Sequence, residues 1–157
     1  MSFFKKIFGR KPVRRQNDQA FYDPSNAHDR VGLALLGMLR PQLDLCGFEL
    51  EHVPDIPPFN GPKCRGALIG ISEGILVGEG VERTADNIYD TVIAAFALTF
   101  SDAVGRDMSL RTVNEAQAGN EEVNAAIEWA IEDTVGVYKS GGLSSAGSFY
   151  LAAMDMI

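Results

Sequence analysis

The sequence predicts a mainly α-helical protein: a compact single-domain helical bundle of about five or six helices, with a short strand or hairpin admitted only between residues 48 and 78. Three observations carry this prediction. Apolar residues recur at helical spacing in several separate stretches, prolines and paired glycines fall between most of those stretches, and 157 residues, 46% of them hydrophobic and 22% charged, suffice for one buried core.

The chain divides into a basic leader and linker over 1–22 and an acidic globular domain over 23–157. Residues 1–15 carry six basic side chains and no acid, whereas the rest holds eight basic against twenty-one acidic ones. A helix over Ser2 to Arg10 would gather Phe3, Phe4, Ile7 and Phe8 on one side, with Lys5, Lys6 and Arg10 on or beside the other. Gly9 and Pro12 end that pattern, and the polar run Gln16 to Asn26 reads as a linker.

The first helix of the domain is expected from His28 to Leu39, with Val31, Leu33, Leu35, Leu36 and Leu39 as its apolar positions. Pro41 should kink or restart it. Phe48 to Val53 alternates apolar and acidic residues like a short strand, and Pro54, Pro57, Pro58, Gly61 and Pro62 make the following connection non-helical.

From Arg65 to Gly80 glycine recurs at 66, 70, 74 and 78. A hairpin would place Gly70 and Gly78 in strand interiors, where they weaken pairing. In a helix each four-residue step advances about 40° beyond a full turn, so the glycines form one slanting stripe without side chains. Each costs about 1 kcal/mol relative to alanine, which only unusually close helix packing recovers, within the monomer or across a homodimer. Alanine-rich partners are available at Ala94, Ala95 and Ala97, at Ala125, Ala126 and Ala130, and at Ala146, Ala152 and Ala153.

Thr84 should cap a helix from Ala85 to Ala103, stopped by Gly105. Ser109 should cap a short helix, and Gly119 precedes a longer one, Glu121 to Lys139, whose inner face is Val123, Ile127, Ala130, Thr134 and Tyr138. Gly141 and Gly142 end it, and a last helix is expected from about Ser144 to Met156.

Little in the sequence points to catalysis. No GxGxxG or phosphate-loop ending is present, and no cofactor is implied. Gly141 to Gly147 departs from a nucleophile elbow by Ala146 and by following a helix, so Ser144 reads as a cap. Cys46 and Cys64 suit reduced, buried thiols, and with His28 and His52 they give no zinc spacing. Glu82, Asp86 and Asp90 share a helical face that offers weak metal candidates, but a solvated helix start explains them without function. Trp129 lies off the inner face of its helix among acids, so with Glu128 and Glu132 it is a candidate docking point for a basic protein, unless neighbouring structure covers it.

The leader is the strongest functional signal: Phe3, Phe4, Lys5, Lys6, Ile7, Phe8, Arg10, Lys11, Arg14 and Arg15 have the composition of an interfacial attachment segment. The resulting expectation is a non-enzymatic cytoplasmic adaptor, peripheral to the inner face of a membrane, attached reversibly to an anionic surface or an acidic partner. Its acidic body should repel nucleic acid. The rival expectations are a small acidic chaperone or inhibitor that masks a basic protein, and a metal-dependent enzyme using the carboxylates at 79–90. No apolar run reaches the ~20 residues needed to span a bilayer.

Overall fold

A computed structural model describes residues 23–142 and 144–157. Among them six helices follow one another with no strand: α1 (Ala27–Cys46), α2 (Pro62–Gly78), α3 (Ala85–Thr99), α4 (Asp102–Gln117), α5 (Glu121–Lys139) and α6 (Ser148–Ala153). The mainly helical bundle expected from periodicity is therefore the architecture.

The middle of α2 is buried on all sides, from Cys64 through Ser72. A helix without a polar face must be surrounded, and α1, α3, α4, α5 and α6 all pack against it, α5 most extensively. The glycine stripe is the seam of that main contact. A Cβ added at Gly66 would lie 2.5 Å from the Val123 carbonyl oxygen and 2.8 Å from Ala126 Cβ. At Gly70 it would overlap the Ile127 carbonyl and lie 2.6 Å from Ala130 Cβ; at Gly74 it would lie 2.6 Å from Thr134 Cβ; at Gly78 it would overlap the edge of the Tyr138 ring. Four glycines at spacing four thus meet 126, 130, 134 and 138 at the same spacing, one ridge seated in one groove. The stripe faces α5 of the same chain, so it specifies packing within the monomer.

Elsewhere the structure corrects the sequence reading. The helix interrupted at Pro41 in that reading runs unbroken to Cys46. Pro41 supplies no amide and crowds the preceding turn, and there the buried Gln42 side chain donates Nε2–H to the Met38 carbonyl at 2.8 Å. Phe48 to Val53 is not a strand. The chain turns there, with Glu51 at φ 66°, and the amides of Glu51 and Val53 donate to the carbonyls of Leu98 and Thr99 at the end of α3. The alternation was a burial pattern: Val53 is buried and Phe48 meets Phe59 edge-on at 5.0 Å.

Thr84 caps α3, accepting from the Asn87 amide, but α3 ends at Thr99 and Ser101 caps α4. Gly105, read as the stop, lies inside α4, where an added Cβ would come within 2.6 Å of Phe96 and Ala97 backbone. Ser109 is no cap either; it is buried in α4 and donates to the Arg106 carbonyl. The last helix is shorter than expected, and Ser144 does not cap it. Its first amides are met from other helices instead. Asp133 Oδ2 accepts from Gly147 (2.9 Å) and Ser148 (3.1 Å), and Gln42 Oε1 accepts from Phe149 (2.8 Å) and Tyr150 (3.3 Å).

Candidate functional site

The ends of the α2–α5 seam are differently finished. At the Gly78 end, Glu79 accepts from Arg30 Nε at 3.2 Å and from the Tyr138 hydroxyl at 2.9 Å. Burial, and next the Glu79 carboxylate, hold the Tyr138 phenol protonated well above its ordinary range. That end is closed by hydrogen bonds. On the flank of α2, Arg65 is almost fully buried and donates to the Asn60 carbonyl (2.9 Å), Thr112 Oγ1 (2.9 Å) and Glu115 Oε2 (2.5 Å), tying α2 to α4.

At the other end, beside the close contact at Gly66, lies a groove of about 500 Å3. Its walls are Ala125, Ala126 and Trp129 of α5 with Met156 and Ile157, and its mouth carries Lys63, Glu121 and Glu122. The positions 122, 125, 126 and 129 recur at helical spacing, which is why one stripe of α5 can floor a groove. The helix starts cleanly beside the mouth because Asn120 caps it, its side-chain oxygen accepting from the Val123 amide at 3.1 Å.

The opposite wall depends on how α6 ends. Asp155 takes a left-handed conformation, φ 54°, its amide donates to Ala152 and that of Met156 donates to Leu151. This pair of bonds is the Schellman arrangement, which reverses the chain after a helix. Lys63 Nζ then holds the reversed segment, donating to Asp155 Oδ1 at 2.6 Å and to the Ile157 carbonyl at 2.7 Å. The mutual hydrogen bond raises the Lys63 pKa and lowers that of Asp155. With Lys63 matched by Asp155, the charge left at the mouth is that of Glu121 and Glu122, both exposed.

Trp129 is therefore half-buried in an apolar groove, neither covered by the 54–62 connection nor standing free. Glu128 and Glu132 are exposed on the same helix, but they do not line the groove. The carboxylates that do are Glu121 and Glu122, about two helical turns before Trp129. Lys63, Met156 and Ile157 were invisible to a sequence reading, since nothing local announces that residues so far apart meet.

The remaining candidates do not assemble. Glu82 and Asp86 are exposed, and no group of three or more histidine, cysteine or acidic side chains among the described residues is arranged to hold a metal. Cys46 and Cys64 are free thiols. Burial pushes Cys64 up to about 12 and also raises Cys46, so both resist the ionisation a nucleophile needs. His52 Nδ1 is engaged with the Leu50 carbonyl. The leader residues Phe3, Phe4, Lys5, Lys6, Ile7, Phe8, Arg10, Lys11, Arg14 and Arg15 lie outside the described residues. No described helix is long and apolar enough to cross a membrane. Comparison with protein-family models, with curated proteins and with solved structures finds no match to this chain.

Proposed function

We propose that the protein is a non-enzymatic binding module whose working surface is the Trp129 groove, taking a partner segment that combines an apolar or aromatic anchor with flanking basic residues. The groove itself carries the reading: an apolar hollow floored by Trp129 with Glu121 and Glu122 at its mouth. Buried aromatic contacts supply affinity, and the acidic rim selects charge and speeds encounter. The same surface serves a chaperone or inhibitor that masks a basic protein, so the two expectations differ in partner rather than in chemistry.

The leader gives the module a place. Each lysine or arginine near an anionic bilayer contributes about 1 kcal/mol, and the phenylalanines supply apolar insertion. Attachment through so short a segment is weak and reversible, which fits a peripheral adaptor at the inner face of a membrane.

Trp129 is the chain's single tryptophan, so its fluorescence reports the groove without ambiguity. A short peptide with a central phenylalanine between lysines should shift the emission and saturate. Replacing Glu121 and Glu122 together by lysine should weaken that binding by about tenfold, on the order of 1.4 kcal/mol. Absence of any saturable shift in the unaltered protein would remove the reading. Salt-sensitive co-sedimentation with anionic but not neutral vesicles tests the leader.

A further inference from the structure

We infer that the hollow enclosed by α2, α3, α4 and α5 is a binding site for a small primary amine, an aromatic ring on a short arm that ends in an ammonium group. The hollow measures about 270 Å3 and shares no lining residue with the Trp129 groove. Its apolar walls are Ile69 of α2, Ile88 and Val92 of α3, Val113 of α4 and Ile127 of α5. On α3 and α4 the lining positions recur at offsets of three and four, so each helix gives it one face.

Size sets the apolar part of the ligand. An apolar cavity of about 150 Å3 holds benzene, so this hollow has room for a ring and a two-carbon arm. Pockets of this kind are mostly apolar, and a few placed polar groups choose the ligand.

Charge sets the polar part. Glu73 is the one charged side chain among the lining residues. Its carboxylate is mostly buried, and among the described residues only its Oε2 is engaged, by Nη2 of the half-exposed Arg83. Arg83 does not line the hollow, so the second carboxylate oxygen is left to accept from an occupant. Tyr89 and Gln117 line the same hollow from α3 and α4, and their side-chain oxygens also accept hydrogen bonds. An ammonium group carries three N–H donors and no acceptor, which matches this set. An anionic head would meet the Glu73 charge, and an alcohol offers a single donor. The excess of acid over the chain, 21 acidic against 14 basic side chains, favours the approach of a cation.

Carbon-detected methyl NMR of the full chain tests the site, because the isoleucine and valine methyls of the walls report an occupant. The probes are phenylethylamine, phenylethanol and phenylpropionate, which share the ring and arm and differ in the head group. The amine should shift the Ile69, Ile88, Val92 and Val113 methyls to saturation and bind at least about tenfold more tightly than the alcohol, as a charge-assisted hydrogen bond provides. The carboxylate should not saturate. In Glu73→Gln the amine should weaken by at least about tenfold while the alcohol binds as before. Equal affinity of amine and alcohol for the unaltered protein overturns the ammonium assignment, as does an amine that binds Glu73→Gln and the parent alike. No saturable shift of these methyls by the amine overturns the site itself. Shifts confined to the Ala125 and Met156 methyls overturn it too, because the amine would then lie in the Trp129 groove. The three probes are compared on the unaltered chain, so a Glu73→Gln protein that fails to fold leaves the test decisive.

Discussion

Replacing Gly70 by alanine separates the packing account of the glycine stripe from any account based on helix propensity. Propensity alone makes the change favourable by about 1 kcal/mol. The structure opposes it: the new methyl would overlap the Ile127 carbonyl and lie 2.6 Å from Ala130 Cβ and 3.1 Å from the Ile131 nitrogen. Ordinary carbon contacts lie near 3.5–4.0 Å, so α2 and α5 must move apart by roughly 1 Å. Backbone atoms supply two of these contacts, and they cannot rotate away as a side chain can. Overpacking of this kind costs about 1–3 kcal/mol, occasionally more, and the displacement also loosens the contacts of Gly66 and Gly74 along the same seam. A net loss of about 2 kcal/mol is expected, which is a large part of a stability of about 5–15 kcal/mol. In urea, followed by circular dichroism, the midpoint should fall by on the order of 1 M. Gly136 is the control, because it lies in α5 with nothing within 4 Å of an added Cβ. Gly136→Ala should stabilise by about 0.5–1 kcal/mol. A Gly70→Ala protein as stable as the parent would refute the close seam.

Other expectations follow from single contacts. Thr134 Oγ1 is buried without a hydrogen-bond partner, so Thr134→Val should be neutral or stabilising by about 1 kcal/mol in the same denaturation assay. Because folding raises the Cys64 and Tyr138 pKa values above their unfolded ones, their contribution is complete below about pH 9 and is lost as pH rises further. A thermal melting series should therefore be flat near neutrality and fall in alkali, less steeply in Cys64→Ala. Asp155 has the opposite sign: its pKa is lowered by Lys63, so the wall it anchors holds above about pH 4 and loosens as acid protonates it. Asp155→Asn should accordingly weaken peptide binding at neutral pH, measured by Trp129 fluorescence, with little change in helix content.

How much of this was legible depends on whether the signal was local. The seam was written in the chain as glycine at every fourth position, and Thr84, Gly119 and the Gly141–Gly142 pair punctuated as expected. Gly105 shows the limit: a glycine that stops a helix and one that admits a neighbouring backbone look identical until the neighbour is known, here Phe96 and Ala97. Pro41 misled as well, since the helix carries it without a break while the next side chain, Gln42, is held to the Met38 carbonyl and to the start of α6. Phe48 to Val53 has the burial rhythm of a strand but donates to the end of a helix. The groove was half visible. Trp129 and its acidic surroundings could be read from the helical wheel, whereas Lys63 and residues 155–157 reach it only through the tertiary fold.

The way α6 is held ties the shape of the groove to α1, a helix that does not line it. Six residues are too few to sustain a helix unaided, and this one begins on acceptors lent by Asp133 of α5 and Gln42 of α1. This short helix is therefore a keystone, held in place by two other helices, one of them distant from it in sequence. Since Met156 and Ile157 follow directly from it, the wall they give the groove depends on α1 and α5 as well as on α6. A change in α1, far from the groove in sequence, can therefore alter the shape of the hollow beside Trp129 without touching any residue that lines it.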